Sequence, residues 1–169
     1  NSNTYEMIKD IEIYLRNDVK IKLVNELGEE WAWKRGAPES IVDDVVKRMA
    51  KKNLTKKKSE ETDEWDNLNL IYYEKIARKN WTLPPEEGSK KRRPFFDVDY
   101  TEPGTEKQNK DGNLVWFDKL NNIRNVVSHV SSEHISENDF NFVQKIHNWL
   151  IKKTIQNSFQ EKNESIKAQ

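Results

Sequence analysis

Arg124, Asn125 and His129 stand within six residues of one another, in a chain that has three histidines in all. A guanidinium grips phosphate oxygens in a bidentate fork, and an imidazole titrates close to neutral pH, so it can take or give a proton. RNA carries its own nucleophile, the 2′-hydroxyl. Cutting it takes a base for that proton, an acid for the departing 5′-oxygen and positive charge on the phosphate, and no metal need take part. Arg124 suits the phosphate, His129 suits either proton transfer, and Asn125 could orient a partner or donate to the phosphate. One copy of the set supplies one histidine. A two-fold dimer, the commonest symmetry of homo-oligomers, would supply two.

The trio falls in a stretch predicted helical over Leu114–Val130, where Trp116, Leu120, Ile123 and Val127 recur at steps of four, three and four. On a straight helix Asn125 and His129 share a face, whereas Arg124 and His129 are about 140° apart around the axis. Arg124 must therefore reach across, or the helix must loosen near His129. The polar residues lie at the edge of the apolar stripe, where a cleft or a subunit contact would form. Arg16-Asn17, by contrast, has no histidine at the needed spacing.

Other elements must hold this one in place. Ile8, Ile11, Leu15, Val19, Leu23 and Leu27 mark a first helix over Thr4–Leu27, with Gly28 as its stop. After Trp31 and Trp33, Pro38 suits the first turn of a second helix whose buried side is Ile41, Val42, Val45, Val46 and Met49. Its end runs into Lys47, Arg48, Lys51, Lys52, Lys56, Lys57 and Lys58, readable as a phosphate-tracking patch or as a solvated helix end. A third helix is expected from Asp63 to Asn80, stopped by Pro84-Pro85. Residues 84–113 form the weakest segment for regular structure, with turn signals at Pro103-Gly104 and Asp111-Gly112. There Phe95, Phe96, Val98 and Tyr100 suit a short hairpin or a loop docked on the core. Lys90, Lys91, Arg92 and Arg93 beside Phe95 and Phe96 could grip and stack single-stranded RNA, or could belong to an ordinary exposed insertion. Ser136 reads as the cap of a last helix carrying Phe140, Val143, Ile146, Trp149, Leu150 and Ile155. The expected fold is all-α: a bundle of about five helices over residues 1–157, one long irregular insertion at 84–113, and a polar frayed tail at 158–169.

Composition narrows the function classes. Apolar residues make up 34% of the chain, below the usual value of about 45–50%, so the core must be concentrated in patterned segments. Charges balance at 29 against 29, and any nucleic-acid contact must be local. The absence of cysteine rules out disulfides and thiolate metal sites. No two histidines stand three or four apart on one helix, so a histidine metal site is not expected, and neither is a cofactor. His134 and His147 read as structural or surface residues, and Glu29-Glu30 and Asp43-Asp44 as solvated acids. With no apolar run near membrane-spanning length and no leader-like start, a cytoplasmic location is expected. A beginning at Asn1 rather than Met suits a domain cut from something longer.

The run Leu120-Asn121-Asn122-Ile123-Arg124-Asn125-Val126-Val127-Ser128-His129, with Ser136-Glu137-Asn138-Asp139 opening the next helix, resembles the signature of the HEPN superfamily, the higher-eukaryote and prokaryote nucleotide-binding domain. Trp31-Ala32-Trp33-Lys34-Arg35-Gly36-Ala37-Pro38-Glu39-Ser40 and Lys79-Asn80-Trp81 are similar to a HEPN subgroup. Its members sit at the C-terminal end of larger bacterial defence or stress proteins, and a relative occurs in a eukaryotic RNA quality-control endonuclease. The resemblance covers residues 27–81 and 113–150 in patches. It implies a helical bundle that dimerises through the helices carrying the motif and cleaves RNA without metal at a composite cleft, with Arg124 and His129 catalytic and Asn125 supporting. A toxin or antiviral effector, held by an inhibitory partner or joined to further domains, would fit. Some members of the superfamily are non-catalytic and serve as assembly, nucleotide-binding or RNA-binding modules, which is the alternative expectation.

Overall fold

The computed structural model describes residues 2–129 and 135–167, with side chains in the last helix described up to Lys152 and again from Phe159. The protein is mostly helical. Its elements are α1 (Ser2–Leu27), α2 (Glu29–Gly36), α3 (Glu39–Asn53), 3-10 turns at Lys58–Glu60 and Glu64–Asn67, α4 (Leu70–Lys79), β1 (Thr82–Leu83), β2 (Arg93–Pro94), α5 (Phe96–Tyr100), α6 (Lys110–Val127) and α7 (Glu137–Lys167). They form two compact units, one of residues 16–121 and one of residues 1–15 with 122–169.

Five of the six α1 stripe residues are buried as read, Ile8, Ile11, Leu15, Val19 and Leu23 each being 1% exposed or less, while Leu27 at the helix end is half-buried. Gly28 ends the helix with φ of 84°, a conformation that costs other residues dearly. Its amide donates back to the Val24 carbonyl at 2.8 Å, and its own carbonyl accepts from Ala32 at 2.9 Å, so α2 starts at once. The sequence reading did not foresee α2. Glu29 and Glu30, read as solvated acids, occupy its first turn, and Lys34 and Arg35 its last, each complementing the helix dipole. At Gly36 a Cβ would come within 2.7 Å of a Leu23 methyl, so a larger residue would have to push that buried side chain aside.

The expected helix from Asp63 to Asn80 breaks in two. Asp63 and Asp66 cap each other's backbone amides, and Asn67 donates to the Asp63 carbonyl at 2.6 Å. These side-chain bonds compete with helix extension, Leu68 becomes extended, and α4 begins only at Leu70. Trp65 stays in the core, edge-on to Trp33 with ring centres 5.4 Å apart.

The expected irregular insertion is partly core. β1 and β2 pair antiparallel, Thr82 with Pro94 and Leu83 with Arg93. Phe96 and Tyr100, four residues apart, are fully buried on α5 while Val98 between them is exposed, a pattern of helix and not of strand. Their rings stack at 5.3 Å, and Tyr100 lies 6.5 Å from Trp116 and 6.1 Å from Phe117 of α6. The Trp116 indole donates to the Tyr100 carbonyl at 2.9 Å, and the Tyr100 hydroxyl donates to Asp18.

In the smaller unit the buried apolar residues are Ile8, Ile11 and Leu15 of α1, Ile123 of α6, and Val143, Ile146 and Leu150 of α7. Ser136 caps α7 as read, its hydroxyl accepting from the Asp139 amide at 3.1 Å. The helix continues to Lys167, beyond the expected fraying after Gln156, and residues 159–167 are exposed. Among the described residues, no helix is long and apolar enough to cross a membrane.

Candidate functional site

α6 turns Leu114, Trp116, Phe117, Leu120 and Ile123 inward. The opposite side carries exposed Asn122, Asn125 and Val126, and Arg124 lies at the boundary, half-buried. The Arg124 Nε donates to the Glu12 carboxylate of α1 at 3.1 Å. Its two Nη groups make no bond to any described residue. Glu12 was missed in the sequence. The signal for it was weak: it is the neighbour of buried Ile11 and therefore flanks the α1 stripe.

The α6 helix stops at Val127, short of the expected Val130. The Ser128 amide still reaches the Arg124 carbonyl at 3.1 Å, but the His129 amide bonds to Val126, only three residues back, at 3.3 Å. The Ser128 hydroxyl takes the Asn125 carbonyl at 3.1 Å, a local bond that competes with the helix. The shared face expected for Asn125 and His129 assumed a helix running on to Val130, and α6 ends two residues before His129. The helix does loosen at His129, but among the described residues no hydrogen bond joins its ring to the Arg124 guanidinium. His129 and Asn125 are both exposed, and the His129 ring has no hydrogen bond to a described residue.

His147 has a partner that sequence did not indicate. Its Nε2 lies 3.1 Å from a carboxylate oxygen of Asp10, with the two side chains 21% and 56% exposed. Asp10 and Glu12 are two residues apart on α1, about 200° around the helix, with buried Ile11 between them. His147 and Arg124 therefore approach α1 from opposite flanks and are not brought into one cluster. His134 lies outside the described residues.

The segment expected to stack RNA is built differently. Phe96 is fully buried and unavailable to a base, a correction to the sequence reading, and Phe95 is half-buried against it with ring centres 4.6 Å apart. Arg92 donates to the Thr82 hydroxyl at 2.7 Å and carbonyl at 3.1 Å. Arg93 donates to the Pro84 carbonyl at 2.9 Å and lies 3.7 Å from Glu26. Lys90 and Lys91 are exposed.

Trp31–Ser40 and Lys79-Asn80-Trp81, quoted separately in the sequence, meet. The Lys79 ammonium donates to the Arg35 and Ala37 carbonyls at 2.8 and 3.0 Å, and the Asn80 amide donates to Gly36 at 2.9 Å. These bonds satisfy carbonyls left open by the end of α2, so this half of the pattern is structural. Trp31 remains 41% exposed, with the Arg35 guanidinium 4.4 Å from its ring. A shallow depression beside Trp33 is lined by Lys34, Glu39, Ser40, Val42 and Asp43 and contains no histidine. Among the described residues no three His, Cys, Asp or Glu side chains gather as a metal site would require. Compared with protein-family models, curated proteins and solved structures, the chain matches none.

Proposed function

We propose that this chain is a HEPN-type endoribonuclease domain that cuts RNA without metal at a cleft shared by two copies. The observation that carries this reading is the state of Arg124: Glu12 holds its Nε, neither Nη group bonds a described residue, and Asn125 and His129, one and five residues further on, are exposed. A guanidinium oriented by one carboxylate is prepared for a phosphate, because less rotamer freedom is lost when the anion binds. In the proposed reaction an imidazole takes the proton of the 2′-hydroxyl as that oxygen bonds to phosphorus. The bond to the 5′-oxygen breaks, and the imidazolium of the second copy protonates the leaving oxygen. The products are a 2′,3′-cyclic phosphate and a 5′-hydroxyl end. Arg124 offsets the charge that builds on the phosphate.

The exposed Val115 and Val126 on the outer side of α6 favour a second reading, a non-catalytic assembly module using the same surface. RNA digestion with EDTA present separates the two. The nuclease reading expects metal-free cleavage by wild type and a loss of about 10²–10⁴-fold in His129→Ala, the usual range for a general acid or base. Cleavage indifferent to His129→Ala would falsify it. Toxin or antiviral work is the biological use this chemistry suits.

A further inference from the structure

We infer that the loop after α3, with the last turns of that helix, is a sequence-independent docking surface for the phosphate backbone of RNA. The inference rests on the nuclease reading for its ligand and on a separate part of the molecule for its evidence. Residues 47–58 hold seven cations and no acid, in a chain whose total charge is zero. One of the seven is engaged in the fold: Arg48 pairs with Asp44 at 2.9 Å and also donates to Asn69. That same Asp44 accepts from the Tyr72 hydroxyl, and this hydrogen bond, with burial second, holds the Tyr72 pKa above its ordinary value. The other six are Lys47, Lys51, Lys52, Lys56, Lys57 and Lys58. All are exposed, and none forms an ion pair with a described residue.

The helix dipole accounts for Lys51 and Lys52, which lie in the last turn of α3. It does not account for Lys56, Lys57 and Lys58, which lie beyond the helix. Nor is their clustering a by-product of a slack loop. Asn53 closes the neck: its Nδ2 donates to the Thr62 carbonyl at 2.9 Å, and its Oδ1 accepts from the Thr62 amide at 2.8 Å. Asn67 holds the Thr62 hydroxyl at 3.0 Å. Inside the neck the Lys56 amide bonds to Asn53 at 3.1 Å and the Glu60 amide to Lys57 at 2.8 Å. Every residue from 54 to 61 is exposed. The pinned, solvated loop thus holds three adjacent lysines ahead of Glu60 and Glu61, with Lys47, Lys51 and Lys52 on the helix before it, a concentration of charge that is unfavourable for the chain alone and is offset when a polyanion binds and its counterions are released. Lysine acts as a point charge with rotatable donors, suited to phosphates rather than to base edges.

Leu54, 84% exposed, is the one large apolar side chain on the loop, and no aromatic accompanies it. A membrane-binding surface would call for a broader apolar face. Glu60 and Glu61 also follow directly, which a flat anionic surface would repel and a narrow strand can avoid.

The test uses the whole chain and a 2′-O-methyl oligonucleotide, which lacks the nucleophile and cannot be cut. Fluorescence anisotropy is followed over a salt series for wild type and for the triple variant K56Q/K57Q/K58Q, with a thermal melt to confirm that the exposed substitutions leave the fold intact. We expect the triple variant to bind about tenfold or more weakly. Its log–log salt slope should fall by about 2, at ~0.7 for each single-strand phosphate that is no longer neutralised. An unchanged slope overturns the inference, and so does an equal loss of affinity in K90Q/K91Q. So too does intact oligonucleotide binding by a triple variant that no longer binds phosphatidylserine vesicles, which would mark a membrane surface instead. Wild type that binds through these lysines but cuts no RNA supports the docking surface and refutes the nuclease reading alone.

Discussion

Residues 51–58 and residues 90–93 are both runs of cations, and the fold uses them in opposite ways. In the second run Arg92 and Arg93 hold the hairpin together through Thr82, Pro84 and Glu26. In the first, no lysine pairs with a described acid, and Asn53 and Asn67 fix through Thr62 the loop that carries Lys56, Lys57 and Lys58. Charge density was the same signal in both. What separates them is that Arg92 and Arg93 donate to the Thr82 and Pro84 carbonyls, whereas among the described residues no carbonyl accepts from the side chains of Lys56, Lys57 or Lys58.

The sharpest way to break this contrast is Phe96→Ala. If the 90–96 segment is structural, the substitution removes a fully buried ring and lowers stability by about 3–5 kcal/mol in urea unfolding. A variant that unfolds like wild type but has lost RNA affinity would return that segment to a binding role. Asn53→Ala comes next. It leaves the half-buried Thr62 amide and carbonyl without their partner and is expected to cost about 1–3 kcal/mol, with faster hydrogen exchange at the Lys56 and Thr62 amides. No change in exchange would mean the neck is held by something else. Arg93→Gln is the mildest. It removes a partly exposed ion pair worth at most about 1 kcal/mol, and the salt slope for oligonucleotide binding should stay where it is.

Much of the helical frame was legible in advance, because long apolar stripes constrain a chain strongly. The α1 residues from Ile8 to Leu23, the stop at Gly28 and the cap at Ser136 all needed only local spacing and residue type. Pro38 was off by one position, preceding α3 rather than entering it. The misses came where polar side chains bond to nearby backbone. Asp63, Asp66 and Asn67 split an expected helix, and Ser128 shortened another, and neither event leaves a mark in hydrophobic periodicity. α2 was missed for a different reason. It is too short for a stripe, and only its acids-first, bases-last order betrayed it. Of the candidate site, Arg124, Asn125 and His129 were readable because their chemistry is in the residue types. Glu12 was not, because its role depends on a partner more than a hundred residues away. The same holds for Asp10 beside His147.

The closed neck at Asn53 and Thr62 has a practical side. The chain contains no cysteine, so Ser59→Cys would introduce a unique thiol on this exposed loop. A fluorophore attached there would report on whatever approaches the loop without first having to be accommodated by the core.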